Sequence, residues 1–141
     1  MILLALVLLS FADQAGSCVL KEGVGLDFAR INVTIWNGNS EAPAGMIVNS
    51  DGNGLVKELI VTNKGCQTSR GVRVGDFDRT VVEIYGKGKK VSYHMTKGST
   101  TTWKLGDFSL EYPGVSFVIS KDKVEAIIIK PLIANSDSNK K

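Results

Sequence analysis

Metal-binding residues are scarce in this chain: 141 residues contain two cysteines, Cys18 and Cys66, and one histidine, His94. A structural zinc site takes about four thiolate or imidazole ligands at characteristic intervals, and no Cys-x-x-Cys spacing is present, so no metal or other cofactor is expected. Two cysteines are also too few for a miniprotein built on disulfides. Charge of one sign is scarce as well. Seventeen Lys+Arg against fourteen Asp+Glu leave a net +3, too mild to mark a nucleic-acid surface. The hydrophobic fraction of 43% and charged fraction of 22% exclude a disordered chain, and the glycines have no collagen period. No Gly-x-Ser-x-Gly elbow occurs. The basic segment Gly86-Lys87-Gly88-Lys89-Lys90 lacks the Ser or Thr that a P-loop needs after its Gly-Lys. With Lys97 it reads as a solvated loop that guards a neighbouring edge strand, or as a contact for an anionic partner.

What is present begins with Ile2 to Phe11, ILLALVLLSF. As a helix these residues span about 15 Å, half of a bilayer core, which suits the apolar region of a secretory signal peptide better than a membrane span. Ser10-Phe11-Ala12 place small residues three and one before a cut, so residues 1–12 are expected to be a signal peptide and Asp13 the mature start. No Lys or Arg precedes Lys21, a departure from the usual positive leader; the alternative is a buried element of the domain. Residues 13–133 form one α+β domain, and the polar tail 134–141 has nothing to bury. In an oxidising, extracytoplasmic compartment Cys18 and Cys66 are expected to form a disulfide. The alternatives are two buried thiols, or lipid attachment at Cys18, the one route by which this chain would be held to a membrane.

Apolar residues alternate through most of the chain: Ala29-Ile31-Val33-Ile35, Val91-Tyr93-Met95, Thr101-Trp103-Leu105, Phe108-Leu110-Tyr112 and Val115-Phe117-Ile119. Each reads as a strand with one face in a core. Val124 to Ile129 is apolar on both faces, as a central strand requires. Short turns at Pro113-Gly114 and Lys121-Asp122-Lys123 imply an antiparallel β-meander. One helix is expected, at about 76–86. Asp76 is its N-cap, Phe77, Val81, Ile84 and Tyr85 are its apolar stripe, and Gly86 is its stop. At that length it must pack on the sheet, giving a two-layer α+β fold. Residues 44–62 and 113–130 also share a pattern. Ala44-Gly45-Met46-Ile47-Val48 followed by Val56-x-x-Leu59-Ile60-Val61 matches Pro113-Gly114-Val115-Ser116-Phe117 followed by Val124-x-x-Ile127-Ile128-Ile129, a degenerate hairpin repeat.

Few residues suggest chemistry. Asn49, Asp51, Asn53 and Gly54 mimic half a calcium loop, but Ile60 stands where the bidentate carboxylate belongs, so a hairpin turn is expected. His94 lies in the polar phase of its strand, between Tyr93 and Met95, and reads as a solvated imidazole. Asp76/Asp78 and Asp107/Glu111 read as cap and turn residues. Asn32-Val33-Thr34 is a glycosylation sequon within an expected strand. No catalytic residue is assigned.

Thr68-Ser69-Arg70-Gly71-Val72-Arg73-Val74-Gly75-Asp76, a short helix and Tyr85-Gly86 resemble the start of small bacterial extracytoplasmic α+β domains. These are the SmpA/OmlA outer-membrane assembly lipoproteins and the β-lactamase inhibitory protein group. The resemblance covers about 20 residues and, loosely, the strands after them. It implies short helices on an antiparallel sheet, and work done by binding proteins rather than by catalysis. Lys87-Gly88 replaces the proline that often follows the final Gly, and the stretch Phe28 to Thr62 has no counterpart, so no functional residue carries over. The expected function is a non-catalytic exported domain binding a protein or cell-envelope component, with Trp36, Trp103 and Tyr93 as contact residues. The alternative is a small secreted hydrolase or ligand-binding domain using His94.

Overall fold

A computed structural model describes residues 18–36, 42–92, 95–97, 101–103 and 107–132, with the backbone alone at 95–97 and 101–103. Twelve strands and one helix follow in chain order. They are β1 Val19–Leu20, β2 Gly25–Leu26, β3 Ala29–Arg30, β4 Met46–Ser50, β5 Val56–Val61, β6 Gln67–Thr68, α1 Asp78–Tyr85, β7 Lys89–Val91, β8 Met95–Lys97, β9 Thr101–Trp103, β10 Phe108–Tyr112, β11 Val115–Ser120 and β12 Lys123–Ile129. The main sheet has six antiparallel strands in the order β4-β5-β12-β11-β10-β7. The fold class is therefore antiparallel sheet plus one short helix, as the alternation implies.

The meander holds for β10-β11-β12, whose turns are tight. Lys121 and Asp122 both take positive φ (53° and 68°), the backbone that matches strand twist in a two-residue hairpin. The rest of the sheet is not sequential: β12 pairs next with β5, which joins two hairpins through their second strands. β12 and β5 carry apolar residues on both faces because they lie in the middle of the sheet. One face holds Leu59, Val61, Val115, Phe117, Ile127 and Ile129, to which the helix and the N-terminal segments add Leu20, Ala29, Val72 and Val81. The other face holds Ile60, Val118, Ala126 and Ile128, with Ile47 beside them.

The two hairpins that share a sequence pattern also share their register. Met46 opposes Val61 and Ile47 opposes Ile60, while Val115 opposes Ile129 and Ser116 opposes Ile128. The ladder slips at Asn49/Ser50 in one and at the corresponding Val118/Ile119 in the other. Gly45 and Gly114 have φ of 80° and 78°, a region only glycine occupies freely. Their carbonyls accept from Thr62 N–H (2.7 Å) and Lys130 N–H (3.1 Å), again at corresponding positions. Between the hairpins Leu59 opposes Ile129, Ile60 opposes Ile128 and Val61 opposes Ile127. Ile60 thus faces its own counterpart, and Leu59 and Val61 each face the counterpart of the other, so a local two-fold axis runs through the Ile60–Ile128 pair.

The similarity reaches further back than the hairpins. Cys18-x-x-x-x-Gly23-Val24-x-Leu26 parallels Cys66-x-x-x-x-Gly71-Val72-x-Val74, and Asp27-Phe28-x-Arg30 followed by Ile35-Trp36 parallels Asp76-Phe77-x-Arg79 followed by Ile84-Tyr85. The Cys18–Cys66 disulfide joins corresponding positions across 48 residues. Just beyond it β1 and β6 pair in parallel, Val19 with Gln67 and Leu20 with Thr68. This is the one parallel ladder among the described residues, and it arises because the disulfide sets two like-directed segments side by side.

Three expectations need correction. Residues 29–35 are not one strand. Asn32 has φ +62°, and the segment sends its backbone bonds to the neighbouring hairpin: Asn32 N–H to Val56 O, Val56 N–H to Thr34 O and Trp36 N–H to Gly54 O. Ile31 is buried, but Val33 and Ile35 are each 65% exposed. Asp76 is not the N-cap either. Its carboxylate accepts from Arg73 N–H at 2.9 Å, the cap position falls to Phe77 with no side-chain cap, and the Asp122 carbonyl takes the Asp78 amide at 2.9 Å. Finally, Phe77 leaves the apolar stripe. It is 45% exposed and lies between the Arg79 and Lys123 cations, each 5.4 Å from its ring centroid, because it bridges to the β11–β12 turn. Val81 is the buried anchor of the helix, and Gly86 closes it at φ +90° with its N–H on Val82 O.

The disulfide closes a long loop, and the chain-entropy account gives it about 4 kcal/mol of stability. Urea unfolding of a Cys18→Ala/Cys66→Ala variant should show a loss approaching that amount with cooperativity kept. A loss under about 1 kcal/mol would show that the junction between the hairpins holds β1 and β6 together unaided.

Candidate functional site

The residues singled out as chemical candidates have structural tasks wherever they are described. Asp51 Oδ1 accepts from Asn53 N–H (2.8 Å) and Leu55 N–H (3.0 Å), and these bonds hold its carboxyl below the ordinary range. Asn49 donates to Glu58 at 2.7 Å. The loop is a hairpin turn, as expected. Asp107 accepts from Lys121 N–H at 3.0 Å and Glu111 pairs with Lys130 at 3.3 Å. Among the described residues no three His, Cys, Asp or Glu approach closely enough to hold a metal. No described helix is long and apolar enough to cross a membrane. His94 and Tyr93 lie outside the described residues, as does the side chain of Trp103. The Cys18 thiol that a lipid thioether would use is taken by the disulfide. The basic segment contains the edge strand β7, with Lys89 and Lys90 exposed and Lys90 Nζ 4.2 Å from the Phe108 ring centroid.

A polar cluster that sequence reasoning missed ties the N-terminal segment to the helix. Glu22 accepts from Ser69 Oγ at 2.6 Å and from the Tyr85 hydroxyl. Arg70 lies 4.6 Å from the Tyr85 ring centroid and donates to Ile84 O at 2.9 Å. Tyr85 in turn packs on Tyr112 (5.3 Å) and Phe117 (5.1 Å). Burial raises the Glu22 carboxyl, but the bonds from Ser69 and Tyr85 and the Arg70 charge outweigh it and hold the group below its ordinary value. Burial first, then Glu22, push the Tyr85 phenol well above its usual range. Glu22 and Arg70 are corresponding positions of the two segments. That correspondence is the one signal that would have brought them together from sequence.

Trp36 is the described contact candidate. It is half-buried, its ring centroid lies 5.8 Å from that of Phe28, and it packs at the margin of the core. Beside it in the chain, Val33 and Ile35 stand 65% exposed, and Ile35 bridges to Leu55 at the tip of the β4–β5 hairpin. Two aliphatic side chains are thus left largely in solvent beside a half-buried indole in the chain. Comparison with protein-family models, curated proteins and solved structures found no match, so the SmpA/OmlA-like resemblance rests on its motif residues alone.

The direction of the Glu22 shift sets a pH dependence. A carboxyl with a lowered folded pKa contributes stability that is complete above its unfolded value of 4.5 and is lost as pH falls through the folded value. Glu22→Gln should therefore flatten the loss of stability below about pH 4.5 measured by urea midpoints. Tyr85→Phe should reduce the destabilisation seen above pH 10, where the unfolded phenol ionises and the folded one does not. Identical acid limbs for the wild type and Glu22→Gln would refute the assignment.

Proposed function

We propose that this chain is a non-catalytic, exported domain that binds a protein or cell-envelope partner, with sheet and helix as two layers and the patch Val33, Ile35 and Trp36 as its contact surface. The observation that carries the reading is the pair of 65% exposed aliphatic residues, Val33 and Ile35, just before a half-buried tryptophan in the chain. Aromatic anchors within an apolar centre are what protein interfaces use. The disulfide supports export, since such bonds persist outside the reducing cytosol. The local partners of Asp51, Asp107 and Glu111 support binding over acid–base chemistry.

Two measurements test this. The intact mass of protein recovered outside the cytosol should correspond to a start at Asp13 and be two hydrogens lighter than the reduced chain; an uncleaved, reduced chain would contradict export. A photo-crosslinking residue at position 35 in the native host should give a discrete adduct with another macromolecule, and one at the exposed Glu125 should not. Val33→Asp, at a position exposed enough to leave folding intact, should reduce that adduct at least tenfold. Equal adducts at both positions would remove the patch as the contact surface.

A further inference from the structure

The two hairpins occupy corresponding places in the sheet but are not equally covered. β11 has β10 on its outer edge, antiparallel, with Phe117 opposite Leu110 and Val115 opposite Tyr112. β4, its counterpart, has no strand on its outer edge among the described residues. The difference shows at every position. Val115, Ser116, Phe117, Val118 and Ile119 are all 3% exposed or less; the corresponding Met46, Ile47, Val48 and Asn49 are half-buried and Ser50 is exposed. The residues have nonetheless stayed largely apolar. Tyr85 packs against Tyr112 of β10, whereas its counterpart Trp36 packs on Phe28 and has no described strand in the place of β10; both side chains are half-buried.

Backbone geometry defines the vacant edge further. The bond from Thr62 N–H to Gly45 O makes Gly45/Thr62, and therefore Ile47/Ile60, the hydrogen-bonded pairs of the ladder. Alternation then turns the N–H and C=O of Val48 outward. The Met46 N–H is already given to Pro43 O at 3.1 Å, so Val48 is the centre of the available edge. Exposed edges are commonly protected by charge or proline. The far edge, β7, follows that rule with Lys89 and Lys90, but β4 reads Met-Ile-Val-Asn-Ser and carries neither.

We propose that the outer edge of β4 is a strand-docking site. Its occupant is an extended segment of a partner protein, antiparallel to β4, with apolar residues alternating on the side of Trp36, as Phe108, Leu110 and Tyr112 alternate on the core side of β10. This rests on the binding-domain reading above and names the kind of partner. Main-chain bonds to Val48 supply affinity, and the half-buried Met46 and Val48, on the core face of β4, select apolar side chains.

The test uses the oxidised full chain, isotope-labelled, and a synthetic peptide with the sequence of Asp107–Tyr112 as probe. Titration should shift the amides of Met46–Ser50 and the Trp36 indole, and a peptide with the same composition but no alternation should not. Val48→Pro removes the outward N–H at a position where an edge strand tolerates proline; Val48→Lys adds the missing guard and serves if the proline variant does not fold. Either should weaken binding at least tenfold. Shifts confined to β7 and β10, equal binding of the scrambled peptide, or no shifts at millimolar peptide would overturn the proposal. So would β4 shifts that appear on concentrating the protein alone, since a second copy would then be the occupant. Loss of the strand site with the position-35 adduct intact would leave the binding function standing.

Discussion

The pairing of β5 with β12 is the contact on which the other elements depend. Three consecutive pairs, Leu59–Ile129, Ile60–Ile128 and Val61–Ile127, turn two hairpins distant in sequence into one sheet. All six side chains are at most 1% exposed, so both faces at the junction bury apolar surface, the largest favourable contribution to folding. Five of the six, all but Leu59, are β-branched, which suits the pleated, crowded middle of a sheet. Because the junction is symmetric about Ile60–Ile128, it also dictates that the outer strands of the two hairpins, β4 and β11, end up on opposite sides.

From there the two halves diverge. After Asp76-Phe77 the chain forms a helix that packs Val81 and Tyr85 onto the sheet, and it then supplies β7 and β10 to cover β11. After Asp27-Phe28 the similar stretch 29–36 adds its amides to the β4–β5 hairpin and leaves Val33 and Ile35 in solvent. β-branched residues at 31, 33, 34 and 35 disfavour a helix there, and the bonds to Val56 and Gly54 give the backbone an alternative. The disulfide and the Glu22–Tyr85–Arg70 cluster hold the unequal halves in one orientation. The consequence is a lopsided surface: one side closed by helix and strands, the other bearing a half-covered indole, two exposed aliphatic residues and an uncharged strand edge. The proposed partner-binding role rests on that asymmetry more than on any single residue type.

Much of the architecture was legible along the chain. Period-two alternation located β10 and β11, the doubly apolar run located β12 in the middle of the sheet, and the cysteine count pointed to the disulfide. The helix was placed to within two residues by its stripe and by Gly86. Where reading failed, a competing tertiary partner was the cause. Asp76 was drawn to Arg73 N–H because the Asp122 carbonyl already served the helix amide. Phe77 was drawn to the β11–β12 turn and its flanking cations. The strand expected at 29–35 failed because alternation records which residues prefer a pleated surface but not whether a neighbour offers the ladder. Trp36 was recognisable as a contact candidate by residue type alone; that it packs on Phe28 while its counterpart Tyr85 packs on Tyr112 and Phe117 became visible only in the tertiary structure.

Local properties were thus settled by the sequence itself: where most of the described strands and turns fall, where the described helix stops, and that two cysteines are available to pair. These follow from side-chain periodicity, backbone freedom at glycine and residue inventory, all of which act over a few neighbours. The tertiary structure alone decided that the hairpins meet through β5 and β12, that Glu22 reaches Tyr85, and that no strand among the described residues covers the outer edge of β4. Those outcomes depend on contacts between residues dozens of positions apart, and no short-range pattern carries the geometry that brings them together.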